Sequence, residues 1–302
     1  MKDIIKEIRF QKIGRYLENV NIAKYTSYRV GGEVALLVYP DNILKLVELI
    51  KILRDNHIKH KVLGNGSNVI FSDNRYEGVI IKLDNFNYLE KKDTVITVGA
   101  GYNLMKLAME MSKLGLSGLE FATGIPGTVG GAIYMNAGAY KSDMGYIVSS
   151  IKVLTPNLQI KDMYNSDLDF HYRTSFLQKN PTYVCLEATI VLRNADKKEI
   201  MELIEKRKQK RLITQPLEYP SAGSVFRNPE NDYAGRLIEV CDFKGYQKGG
   251  ALVSPKHANF IVNIGNATAK DVRDLIMEVK DKVLKEHGVE LMIEQEFVNW
   301  ES

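Results

Sequence analysis

The chain has 302 residues, 45% of them hydrophobic and 26% charged, with a formal net charge of +4. That composition suits a globular protein with room for two or three domains, each with its own core. No apolar run approaches the length of a membrane span, no signal-peptide core precedes the first charges, and Cys185 and Cys241 have no metal-ligand or disulfide-framework spacing. A cytoplasmic protein with buried free thiols, no bound metal, no membrane contact and no nucleic-acid partner is therefore expected.

In chain order, residues 41–56 read as a helix opened by Asp41, apolar around most of its circumference and so packed firmly on a sheet. A second helix covers 102–114 and stops at Gly115. A third covers about 197–212 and carries the basic run Lys206–Arg211, which Glu202 and Glu205 mark as a solvated face. The last spans 269–287, with Thr268 as N-cap, Asp271 three residues on and Gly288 just past the end. Extended runs lie at 34–40, 60–63, 78–83, 94–99, 151–156, 183–192, 259–264 and 289–298. Strands and helices without strict alternation predict an α+β fold.

Glycine is concentrated in two regions, Gly64 to Gly145 and Gly223 to Gly265, with none between them. In the first, Gly64-Asn65-Gly66-Ser67-Asn68 joins two extended runs. It has neither the Lys-Ser/Thr of a Walker loop nor, with Val69 at the third position, a dinucleotide fingerprint. Two readings stay open at that point: a nest of backbone N–H groups for a phosphate, or a decorated hairpin. Gly99 and Gly101 are followed by Leu104, which again fails the fingerprint. The stretch GIPGTVGGAIYMNAGAY, Gly124 to Tyr140, adds a Pro126-Gly127 turn signal, the Thr128 hydroxyl, Gly130-Gly131 and Asn136. Two such loops together favour one large phosphate-bearing ligand over close packing alone.

Candidate chemistry lies further on. Arg173, in FHYRTSF, suits bidentate recognition of a carboxylate or phosphate, or a structural role on an aromatic strand. Ser224, in PSAGSVFRNP, is not in a nucleophile elbow and has no nearby histidine, so proton donation or binding fits it better than acylation. Alternation in 289–298 puts Val289, Leu291, Ile293 and Phe297 on one face and Glu290, Glu294 and Glu296 on the other, without choosing among the carboxylates.

Taken in order, YTSYRVGG (25–32), VLGNGSNVIFSD (62–73), GLEFATGIPGTVGGAIYMNAGAY (118–140), YRTSF (172–176), PSAGSVFRNP (220–229) and HANFIVN (257–263) resemble the UDP-N-acetylenolpyruvoylglucosamine reductase family over nearly the whole chain. The resemblance implies a two-part FAD-binding module of the vanillyl-alcohol-oxidase-like (PCMH) class, at 1–85 and 86–203. A C-terminal α+β substrate domain would follow at 204–302, with the last strand placed there or back toward the first part. It further implies non-covalent FAD held by Gly64, Asn65, Gly66, Ser67, Asn68, Gly124, Gly127, Thr128, Gly130, Gly131 and Asn136, with the main chain itself as the binding surface. NADPH would be the co-substrate, a UDP-sugar enolpyruvyl ether the substrate, and the protein a monomer serving peptidoglycan precursor synthesis. By motif, Arg173 would bind the substrate carboxylate, Ser224 would supply the proton, Glu294 would complete the acid–base set, and Asn228 would touch the sugar nucleotide.

Three positions depart from the family's usual pattern: Met292 replaces the first glutamate of Leu-Glu-x-Glu, Asp242 stands at a common glycine, and Thr128 replaces a frequent serine. The compact length resembles the type II subclass, which lacks an inserted substrate-clamping loop. Two rivals are a flavin oxidase of the same class and a catalytically silent nucleotide-binding protein. The absence of His or Cys between His60 and His171 weighs against the tethered flavin common in the first. The joint presence of Arg173, Ser224 and Glu294 weighs against the second.

Overall fold

A computed structural model describes residues 1–300. The chain divides into two compact units, each assembled from separated segments. The first comprises 1–18, 35–65 and 77–208; the second comprises 19–34, 66–76 and 209–302. Among the described residues, no helix is long and apolar enough to cross a membrane.

The first unit is organised on a five-stranded antiparallel sheet in the order Ile160–Tyr164, Val148–Leu154, Val184–Val191, Val95–Gly99, Leu89–Lys92. Its inward residues, among them Ile96, Val98, Ile151, Val153, Leu186, Ala188 and Ile190, join the helix residues Leu104, Leu107, Ala108 and Met111 in one core. A four-stranded sheet runs in the order Gly14–Asn21, Glu33–Pro40, Tyr76–Ile81, His60–Val62. The helix Ile43–Asp55 adds Leu46, Leu49, Ile50, Ile52 and Leu53 to the same core, as the dense apolar pattern predicts. Its N-cap, however, is Asn42 and not Asp41: the Asn42 side chain accepts from Lys45 N at 3.1 Å. Asp41 lies before the helix, its own N–H donating to Ile13 O.

In the second unit, the antiparallel strands Gln247–Lys248, Ala251–Val253 and Ile261–Asn263 pack beneath the helix Ala269–His287. That helix has the expected boundaries. The Thr268 hydroxyl and Asp271 carboxylate form a reciprocal capping box, and Gly288 ends it at φ 66°. Its buried residues Val272, Leu275, Ile276, Val279 and Val283 follow helical spacing, each contributing about 1.5–3 kcal/mol by burial.

The terminal run is not the single strand expected at 289–298. Its even/odd sidedness holds only at the start, where Leu291 is buried and Glu290 and Met292 are exposed; Ile293 and Glu294 are both half-buried, and Val298, on the carboxylate face, is buried. The backbone changes partner midway: Ile293 bridges Phe226, whereas Glu296–Val298 pairs in parallel with Val69–Phe71. The hairpin reading of Gly64–Asn68 also fails. The strand before it pairs with Tyr76–Ile81 and the strand after it with Glu296–Val298, so the two flanks belong to different sheets.

Candidate functional site

The glycine stretch 124–140, read from the sequence as a loop, contains a short helix, Val129–Tyr134. Thr128 caps it, its buried hydroxyl accepting from Gly131 N at 3.3 Å. The two adjacent glycines answer to different constraints. A Cβ on Gly130 would sit 2.9 Å from Ala100 Cβ, and the Gly130 N–H donates to Ala100 O at 2.8 Å. Packing against the end of a strand therefore explains Gly130. A Cβ on Gly131 would approach only Thr128 Oγ1, at 3.3 Å, so no neighbouring backbone excludes a side chain there. Across from this cap lies Gly64, where a Cβ would meet the same Thr128 hydroxyl at 2.7 Å.

Beneath Gly64 stands Lys82, which the sequence reading passed over as the end of an apolar strand. It is 5% exposed, its Nζ donating to Gly64 O at 2.5 Å and lying 3.3 Å from Asp84. Burial holds its pKa below the ordinary lysine value, while Asp84 opposes that shift. Gly66 is fixed differently: it has φ +63°, and a Cβ would fall 2.2 Å from Tyr25 O. Ser27 N donates to its carbonyl at 3.1 Å. Asn68 donates through Nδ2 to Glu294 O at 3.1 Å and accepts from Glu296 N at 2.9 Å. Ser67 is half-buried and Asn65 exposed.

Arg173 is not on a strand. It occupies the second loop position of a tight hairpin closed by His171 and Thr174, each N–H donating to the other's carbonyl at 3.1 Å. Its φ is +58°, in the region that favours glycine. Three hydrogen bonds tether residues 171–175 to residues 134–138: Asn136 Nδ2 to His171 O at 2.8 Å, Arg173 Nη2 to Gly138 O at 2.5 Å, and Ser175 Oγ to Tyr134 O at 2.7 Å. The guanidinium lies 5.2 Å from the Tyr172 ring centre.

Ser224 and Glu294, seventy residues apart in sequence, lie on two segments of the second unit that the Phe226–Ile293 bridge joins. Glu294 N donates to Val225 O at 2.8 Å and Arg227 N to Met292 O at 2.9 Å. Gln295, 4% exposed, aims its amide at three successive carbonyls, those of Ala222, Gly223 and Ser224, at 3.1, 3.4 and 3.3 Å. Asn259, also buried, accepts from Phe226 N at 2.9 Å and donates to Phe226 O at 2.8 Å. These two amides shape the serine segment and were missed, because a Gln or Asn in a sequence does not reveal which backbone it will serve. Asn228 is exposed, and its Oδ1 accepts from Ala234 N at 3.1 Å.

Residues 34–163 match the model of an FAD binding domain, and residues 215–298 match that of the UDP-N-acetylenolpyruvoylglucosamine reductase C-terminal domain. A protein of that name from Anoxybacillus flavithermus is 46% identical over 299 residues, spanning 99% of both chains. The chain belongs to the UDP-N-acetylenolpyruvoylglucosamine reductase family. A Bacillus subtilis member is 42% identical over the same share of both chains. The crystal structure of the Thermus caldophilus enzyme superposes with a TM-score of 0.81 at 34% identity, covering 94% of this chain and 98% of that one. Family membership makes this protein an FAD-dependent oxidoreductase of α+β architecture, with the FAD-binding domain and reductase-family C-terminal domain expected from its motifs.

The residues of the first unit suit the cofactor. Gly131 leaves a position that a Cβ would otherwise fill, the Thr128 hydroxyl sits beside it, and the buried Lys82 cation lies under Gly64. An open stretch of main chain with a hydroxyl beside it and a lysine beneath it suits a pyrophosphate.

Proposed function

We propose that this protein catalyses the NADPH-dependent reduction of UDP-N-acetylglucosamine enolpyruvate to UDP-N-acetylmuramate, a step in peptidoglycan precursor synthesis. When bound, FAD supplies hydride chemistry at the enolpyruvyl methylene, with NADPH as the source of electrons. Gly64–Asn68, Gly124, Gly127, Thr128 and Gly131 hold it, and residues 204–302 carry the sugar-nucleotide site, where Asn228 contributes.

The chain's own residues manage charge and protons. Arg173 binds the enolpyruvyl carboxylate, onto which negative charge spreads as the methylene carbon gains hydride, so a fixed guanidinium stabilises the transition state more than the ground state. Ser224 Oγ donates the proton that the neighbouring carbon then requires. Glu294 completes the acid–base pair by restoring that proton. The observation that supports this reading is the backbone bond from Glu294 N to Val225 O, one residue along the chain from Ser224, while Gln295 gathers the carbonyls of 222–224. Glu294 is half-buried and Glu290 exposed, which supports Glu294 over Glu290 as the carboxylate of this set.

The test is an anaerobic absorbance titration. Bleaching of bound flavin by NADPH, and its return on adding the enolpyruvyl sugar nucleotide, is the expected result. A flavin that bleaches but returns only with oxygen would refute the proposed substrate.

A further inference from the structure

We infer that Asn136 is a positioning residue for Arg173, and not a ligand of the dinucleotide; this rests on the assignment of Arg173 to the substrate carboxylate. Asn136 is 2% exposed, and both ends of its amide are spent on backbone. Nδ2 donates to His171 O at 2.8 Å, and Oδ1 accepts from Gly145 N at 2.9 Å. The amide's orientation is fixed by those partners, since a flipped group would face carbonyl to carbonyl and N–H to N–H. Its work is therefore to bind the carbonyl that closes the arginine hairpin to the segment entering Gly145.

The hairpin needs that work. Arg173 at φ +58° occupies backbone space that an arginine adopts at a cost, and such a conformation persists only where its surroundings over-determine it. His171 O receives two donors, Thr174 N from within the hairpin and Asn136 Nδ2 from outside. Removing the outside donor loosens the carbonyl that closes the hairpin, while Ser175 Oγ and Arg173 Nη2 keep their bonds to Tyr134 O and Gly138 O. The guanidinium then stays near its place but samples more orientations, and carboxylate recognition loses its geometric fit.

Asn136 has φ +42°, which makes glycine the informative replacement. Asn136→Gly deletes the amide while accepting the backbone, whereas alanine would add strain to the deletion. In the FAD-loaded protein, three quantities are measured: FAD affinity, affinity for UDP-N-acetylglucosamine, and affinity for its enolpyruvyl ether, which alone carries the carboxylate. The expected result is FAD and UDP-N-acetylglucosamine affinities within about threefold of wild type, with the enolpyruvyl ether weakened roughly tenfold or more. In the double variant with Arg173→Ala, kcat/KM falls no further than in Arg173→Ala alone, because one group acts through the other.

A selective loss of FAD affinity, or losses that multiply in the double variant, would overturn the inference. An Arg173→Ala protein that still prefers the carboxylate-bearing sugar would instead overturn the role of Arg173 itself. Should Asn136→Gly fail to fold, Asn136→Asp serves: it keeps the acceptor for Gly145 N and removes the donor to His171 O. The same selective loss is expected from it, and full retention of the preference for the enolpyruvyl ether would overturn the inference.

Discussion

Replacing Gly131 with alanine separates a glycine required by a ligand from one required by packing. Within the chain, the added methyl meets only Thr128 Oγ1, at 3.3 Å, and the hydroxyl yields a few tenths of an ångström. Against that small crowding stands the gain from replacing a helical glycine by alanine, about 0.5–1 kcal/mol. Without cofactor, Gly131→Ala should thus melt at or slightly above the wild-type temperature. A shift of about 2–4 °C per kcal/mol applies to a chain of this size. FAD affinity should fall at least about tenfold, or about 1.4 kcal/mol, because the methyl occupies the surface the main chain presents. At saturating FAD the cofactor's stabilisation shrinks by the same amount, and the order of melting temperatures reverses. Gly130→Ala is the control. Its methyl overlaps Ala100 Cβ at 2.9 Å and displaces a backbone hydrogen bond, costing about 1–3 kcal/mol with or without FAD. Calorimetry of both variants with and without FAD, together with flavin fluorescence titration, reads all four numbers. Unchanged FAD affinity in Gly131→Ala, or a loss of apo stability matching Gly130→Ala, would refute the reasoning.

Other consequences follow from the second unit. Ser224→Ala should slow substrate-dependent turnover about 10²–10⁴-fold while leaving flavin reduction by NADPH intact; stopped-flow absorbance separates the two, and equal slowing of both would remove Ser224 as the proton donor. Asn259→Ala strands the buried N–H and carbonyl of Phe226, costing about 2–6 kcal/mol at about 1–3 kcal/mol per orphaned group; a urea midpoint unchanged from wild type would contradict it. His257 Nδ1 accepts from Asn259 N at 3.2 Å, which needs a neutral ring, and burial lowers its pKa below 6.5. The folded state therefore resists a proton that the unfolded chain takes up: this contribution is fully present above pH 6.5 and is lost as pH falls toward the depressed value. Urea midpoints between pH 7 and 5.5 should decline more steeply in wild type than in His257→Gln, and parallel profiles would dismiss the histidine as the cause.

Local and periodic features of this protein were legible in its sequence. Thr268, Asp271 and Gly288 delimit a helix because capping is settled by groups within one turn of each other. Cys185 and Cys241 are free and buried as composition suggested, with burial pushing their thiols up to about 12 and about 11. The ordered motifs also sufficed to name the family, because each marks a backbone shape or a charge that its chemistry requires. The tertiary structure alone decided which partner each segment takes. Alternation places Glu294 on a face, but only the switch of partner between Ile293 and Glu296 puts it beside Val225. Gly130 and Gly131 are indistinguishable as letters, and the proximity of Ala100 to only one of them tells them apart. Lys82, Asn259 and Gln295 stayed silent, and Asn136 was assigned to the cofactor, for the same reason: each satisfies a backbone group 18 to 73 residues away. Caps and periodicity are short-range effects carried by neighbouring residues, whereas the pairing of a buried polar group is set by whichever chain the fold brings to it.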